Sequence, residues 1–319
     1  GDDGRYIAQN LVFGVYRISL NYAGLSPATQ LVEIRSTVPR HLSVTLGLQP
    51  VQTQLEISDA GTLVDTSRTS AVYTIGAQTI TEGMPSQPGR GVLSAVNAQP
   101  GWLFESNGVL HPRGSEYDVQ FVVDGMPMTE NRSPAFAPPI DSSDVESMRV
   151  MTAGFPAEYG RKLGGVVEVT SPRNNPAGLH GQLDANGGSF STGSANATLF
   201  YSRAGNRFSI SGDGFHTDRY LDPPVLANYT NLGNAGGFSA SYEHDFANGD
   251  RVYSTFTQHA VRYLVPNELV QQQAQQRQDA MQKETSGQVH YTHVFSADVV
   301  MDVAGAVRDA AARLSSNAD

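Results

Sequence analysis

The chain has no cysteine among its 319 residues, which excludes disulfides and thiolate-held metals. It holds a single tryptophan, and only 16% of it is charged. No run of lysine and arginine occurs and the net charge is -10, so nothing favours a nucleic-acid partner. No apolar stretch is long enough for a transmembrane helix. Enzyme signatures are also missing: there is no G-x-S-x-G elbow, no H-E-x-x-H, no phosphate-binding loop and no dinucleotide fingerprint. The eight histidines are scattered, and His290 and His293 fall on opposite faces of one strand region. No catalytic residue, cofactor or metal site is expected, and the chain reads as a non-enzyme.

Glycine is plentiful, with 32 residues, beside 39% hydrophobic residues. That texture suits many strands and tight turns, so the fold is expected to be mainly β. Residues 1–50 contain short alternating runs such as "GVYRISLNYAG" and "LSVTLGLQP", which predict a small, partial β-sandwich. Residues 51–71 are polar around a short apolar core, Leu55-Glu56-Ile57, and read as a linker or a detachable strand. Residues 72–172 form a mixed α/β stretch. It has a short helix at 91–98 ended by Pro100-Gly101, a strand turning at Asp124-Gly125, and two further strands.

From about residue 177 the period is two. In "LHGQLDANGG" Leu179, Gly181, Leu183 and Ala185 alternate with His180, Gln182, Asp184 and Asn186. "FSISG" and "GGFSASYEHDF" repeat the device. Short glycine-bearing turns, Ala204-Gly205-Asn206 and Asn248-Gly249-Asp250, contrast with long connections at 217–234 and through the glutamine-rich "ELVQQQAQQRQDAMQKETS". Transmembrane β-barrel strands have this pattern, and a soluble β-sandwich with one buried face gives the same period. Phe190, Tyr201, Phe215, Phe246, Tyr263 and Phe295, near strand ends, favour the membrane, where they would form an interfacial girdle.

The stretch "GFPAEYGRKLGGVVEVTSP" places Glu158-Tyr159-Gly160-Arg161 and the pair Gly164-Gly165 before a β-branched strand with Glu168 in its middle. Val167 and Val169 share one face, and Glu168 on the other calls for water or a cation such as Arg161 or Lys162. With Arg113-Gly114 and Asp124-Gly125 upstream, this order of segments resembles the TonB-dependent outer-membrane receptors, specifically the Oar-like group with a carboxypeptidase-regulatory-like domain at its front. The resemblance implies a partial front domain over 1–50, a linker with a candidate TonB box at Leu55, Glu56 and Ile57 over 51–71, a plug domain over 72–172, and the first strands of an incomplete outer-membrane barrel over 173–319.

By the same resemblance, the chain is part of a bacterial outer-membrane importer of a scarce or large solute. Its partners would be periplasmic TonB, outer-membrane lipid and an extracellular substrate. Arg113, Gly114, Asp124, Gly125, Glu158, Tyr159, Gly160, Arg161, Gly164, Gly165 and Glu168 would be structural or gating residues of the plug. Arg132 and Phe136, in a loop over 126–139, would be substrate-loop candidates, with 105–110 beside them. Glu168 is expected to face a polar lumen, and the glycines to let the backbone pass close to the barrel wall. The alternative is a non-transporting surface or periplasmic β-protein, such as an adhesin or carbohydrate-binding module. The ends of the sequence read as those of a piece of a longer protein.

Overall fold

A computed structural model of the chain describes residues 177–296 and 299–317. Before them it describes 14–22, 28–34, 42–46, 71–76, 91–104, 110–113, 119–128, 144–152 and 164–173, with positions 6, 8, 25, 79, 140, 155 and 159. Near the start, β1 (Gly14–Leu20) and β2 (Ala28–Ile34) form an antiparallel pair in which Tyr16 stands opposite the buried Val32. Among the described residues this pair stands as a two-stranded sheet of its own, where a small partial sandwich was expected.

The next unit is a mixed five-stranded sheet. Its strands are β3 (Ala71–Gly76), β6 (Val119–Val123), β7 (Met126–Met128), β8 (Ser147–Thr152) and β9 (Gly165–Thr170), in the order β3-β8-β9-β6-β7. Only β6 and β9 run parallel. Helix α1 (Gly91–Asn97) and the small pair β4 (Trp102–Phe104) and β5 (Leu110–Pro112) accompany it. Val92, Ala95 and Val96 of α1 join Trp102, Val150, Val167 and Val169 in one core, while Val122, Met151 and Val166 pack with Phe155 and Tyr159 in another. Both faces of the sheet are therefore covered, and β8 is buried along its whole length. The helix ends as its sequence dictates, the chain reversing through Pro100 and Gly101 at φ 88°.

The largest unit is a seven-stranded antiparallel sheet in sequence order. It comprises β10 (Gly178–Gly188), β11 (Thr192–Arg203), β12 (Asn206–Thr217), β13 (Gly233–Asp245), β14 (Arg251–Leu264), β15 (Gln278–Val294) and β16 (Val300–Ser316), with the short helix α2 (Leu269–Gln273) between β14 and β15. The glutamine-rich stretch, expected as one long connection, ends at residue 277; from Gln278 it is strand, paired with β14 and β16. Register puts Leu199, Ile210, Ala240, Phe256, Gly287 and Val307 in one row across six strands. That face is exposed: Leu183 at 76%, Leu199 at 58% and Val307 at 79%. The opposite face carries Thr198, Ser211, Glu243, His259, Glu284, Ser286, Gln288 and His290, all buried. This wall is inside out relative to a soluble sandwich.

Two of the aromatics expected in an interfacial girdle are elsewhere. Phe215 and Tyr263 point to the polar side, where both stack on Tyr220 of the 218–232 connection, at 5.9 and 4.7 Å between ring centres. Phe190, Tyr201, Phe246 and Phe295 are exposed, as a girdle requires.

Candidate functional site, the polar seam between sheet and wall

The hairpin β6–β7 turns at Asp124 and Gly125, with φ of 50° and 83°, the two left-handed residues that a type I′ turn needs. The turn points its carboxylate at the wall. Asp124 is buried; Oδ1 accepts from the Ser171 amide at 3.0 Å and lies 3.3 Å from the Arg173 guanidinium, while Oδ2 accepts from the Tyr253 hydroxyl of β14 at 3.3 Å. The guanidinium also lies over the Tyr253 ring, 4.0 Å from its centre. Burial works against the charge of Arg173, but Asp124 beside it holds the guanidinium above its usual range. The Arg173 amide donates to Glu146 at 3.1 Å, and burial raises that carboxyl.

A second contact lies in the segment before β8. Asp144 Oδ1 accepts from the hydroxyls of Ser211 on β12, at 2.8 Å, and Ser239 on β13, at 2.7 Å. Its Oδ2 lies 3.0 Å from Nε2 of His259 on β14. Burial opposes ionisation of Asp144, and His259 with the two hydroxyls outweighs it, keeping the carboxyl below the ordinary aspartate range. Nearer the short-turn end of the wall, Arg207 pairs with Glu243 and Asp245, and Arg251 holds Asp245 at 2.6 Å. The small sheet thus meets the wall through carboxylates that accept from wall side chains.

Of the residues singled out in the sequence, Tyr159 and Glu168 meet: the Tyr159 hydroxyl donates to Glu168. The cation facing Glu168 is Arg149, its register partner on β8, at 2.7 Å. Glu168 therefore sits inside the small sheet, satisfied by it, rather than facing a wet lumen. The explanation of the glycines also changes. Gly165 is bare because Trp102 lies on it: an added Cβ would stand 2.3 Å from the indole ring and 3.3 Å from Pro112. Gly164 is buried beside it. Arg113 is exposed, its amide donating to Gly101 at 2.7 Å, away from the seam. The span expected as a substrate loop begins as strand, since Met126–Met128 is β7, and Leu110 opens β5 as a buried residue. Leu55, Glu56, Ile57, Gly114, Arg132, Phe136, Glu158, Gly160 and Arg161 lie outside the described residues.

Asp144, Arg173, Tyr253, His259, Ser211 and Ser239 carry the seam, and none was singled out by pattern. Ser209, Ser211, Ser239 and Ser241 do occupy alternate positions on one face, the one hint that this face receives a polar partner. Among the described residues no group of three or more histidines and carboxylates is placed to hold a metal.

An open antiparallel wall with an apolar outside, polar inside and a separate covered sheet against its inner face has known counterparts. The chain aligns with the iron transporter FrpB of Neisseria meningitidis at a TM-score of 0.61 and 13% identity, covering 75% of this chain and 40% of that one. The siderophore receptor PiuA of Acinetobacter baumannii gives 0.59 and 14%, with 77% and 37% covered. In sequence it is 24% identical over 193 residues to the TonB-dependent transporter Oar of Myxococcus xanthus. The chain resembles the TonB-dependent outer-membrane receptors in sequence and in fold. That alignment spans 57% of the chain and 18% of the transporter. No protein-family model matches. The seven-stranded wall fits the strands of a receptor barrel, and the chain is an outer-membrane protein. Its relatives are transporters and receptors, not enzymes.

Proposed function

We propose that the chain is the gated part of an importer for a scarce or large solute, in which the five-stranded sheet over 72–172 is the plug and 173–319 supplies the first barrel strands. The observation that carries this reading is the seam: a unit with its own two cores lies against the polar inner face of the wall through a few side-chain contacts, Asp124 to Tyr253 and Asp144 to Ser211, Ser239 and His259. Such a unit can shift without unfolding the wall. An adhesin or carbohydrate-binding module gives no reason for a separately cored sheet to fill the polar side of a membrane wall.

On this reading residues 1–50 are the carboxypeptidase-regulatory-like front domain. Leu55, Glu56 and Ile57 within 51–71 are the segment that TonB captures in the periplasm by strand addition, main-chain hydrogen bonds supplying the affinity. Arg132 and Phe136 are the substrate contacts of the plug. The test is capture of the full-length protein, from solubilised outer membranes, by the purified periplasmic domain of TonB. The wild-type protein is expected to be retained and Leu55→Pro, which removes an amide donor from the added strand, to be lost. Equal retention of Leu55→Pro would move the TonB box elsewhere. No retention of the wild type would refute the import reading.

A further inference from the structure

We infer that Asp144 is the key that seats the small sheet in the wall, and that the wall builds a socket for its carboxylate. The inference rests on the reading of that sheet as a movable plug. Three neighbouring strands contribute. Register aligns Ser211, Ser239 and Thr257 in one row and Asp213, Gly237 and His259 in the next. The two serine hydroxyls, 2.6 Å apart, both reach Asp144 Oδ1. His259 closes the other side of the carboxylate, with Nε2 at 3.0 Å from Oδ2.

The position of the imidazole depends on Gly237. A Cβ at that residue would stand 1.8 Å from His259 Nδ1 and 2.7 Å from Asp213 Oδ1. The missing side chain is the room the ring occupies, and it leaves Nδ1 directed at Asp213 Oδ1, 3.7 Å away. Glu284, opposite His259 on β15, is paired with Arg308 at 2.7 Å, so its charge is already engaged. Among the described residues, Asp213 and Asp144 are the carboxylates that address the ring directly. A carboxylate buried at such a junction is stable only while its donors surround it. Asp144 grips three wall strands at once, whereas Asp124 meets the wall at Tyr253. Asp144 is therefore the contact whose release frees the segment leading into β8, with Asp124 still held at Tyr253.

The test uses the full-length protein in planar bilayers, with urea added to provoke plug release and conductance steps counted. Asp144→Asn and His259→Gln are each expected to raise the frequency of openings about tenfold, the factor that loss of one close polar or charged partner of a buried carboxylate implies. The double variant should open no more often than the more affected single. Heat-modifiable migration on gels, like that of wild type, shows that the barrel has assembled. Should Asp144→Asn fail that check, Ser239→Ala with His259→Gln runs the same cycle from the wall side. Openings at the wild-type frequency, or a double variant equal to the product of the singles, would overturn the seat while leaving the importer reading in place. A wild-type protein that never opens in urea would overturn both.

Discussion

The pair of Arg149 and Glu168 lets the stability of the small sheet be tested apart from the wall. Arg149 is the register partner of Glu168 across β8 and β9, 2.7 Å away, with side chains only 6% and 18% exposed. A charge left alone in such a place cannot be hydrated, so Arg149→Met should cost about 3–5 kcal/mol, since the Tyr159 hydroxyl alone remains to Glu168 of the two partners described. Replacing both, as Arg149→Met with Glu168→Leu, removes the stranded charge and should cost far less, about 1 kcal/mol or nothing. Trp102 is the sole tryptophan of the chain and sits in the sheet's own core, so its emission follows this unit. With a urea slope of about 2 kcal/mol/M, the single variant should lower the midpoint of the chain refolded in detergent by about 2 M. The double variant should recover most of that loss. A double variant as unstable as the sum of its singles would show that the two charges are not coupled, and the account of Glu168 given above would be wrong.

Gly165→Ala should destabilise the same unit by about 1–3 kcal/mol, because an indole and a proline ring must both give way; Trp102→Leu in that background should recover part of the loss, read by thermal melting. Phe256→Arg, on the exposed face midway along β14, should cost about 2–4 kcal/mol in the bilayer and reduce heat-modifiable protein in outer membranes, where Phe256→Leu does not. In the turn before β14, Asp250 accepts from His293, the Val294 amide, Tyr291 and Asn248, and these bonds, His293 first, hold its carboxyl well below the ordinary aspartate range. A depressed folded pKa means that the turn's stabilisation is complete above the unfolded aspartate value, about 3.9, and fades only as pH falls through the lower folded value. The carboxyl carbon resonance of Asp250 should therefore stay unmoved between about pH 6 and 4, where a free aspartate begins to titrate. Asn231, whose side chain bonds both backbone groups of Leu221 and Asn228 Oδ1, pins the 218–232 connection; Asn231→Ala should speed tryptic cleavage at Arg219.

Strand positions in the wall were readable because alternation is a local property: Leu179 to Asn186 declare their two faces without reference to any partner. The Asp124-Gly125 hairpin and the stop after α1 were readable for the same reason, since φ > 0 is demanded by the turn itself. The seam was not readable. Asp144 is separated from Ser211 by 67 residues and from Ser239 by 95, and no pattern near any of them records the meeting. Glu168 was misread because its cation, Arg149, becomes a neighbour only when β8 pairs with β9, while Arg161 and Lys162 stand closer in sequence. Gly165, which opens that strand, was likewise given the wrong neighbour, the wall instead of Trp102.

Alternation left one question open, because a soluble sandwich and a membrane wall share the period of two. The sign of burial answers it. In water the covered face is the apolar one, since burying it is what drives folding. Here the covered face bears Ser211, Glu243, His259, Glu284 and His290, and the bare face bears Leu183, Leu199, Ile210, Val303 and Val307. An apolar patch spread over seven strands far exceeds what a monomer exposes to water. In hydrocarbon the same patch is in its own solvent, and the polar face is satisfied by the small sheet and by its own ion pairs. The role of the small sheet follows from this inversion. It supplies the acceptors that polar side chains on the inner wall require, so on the proposed reading each contact holding it in place is also one to be exchanged for water or substrate when it moves.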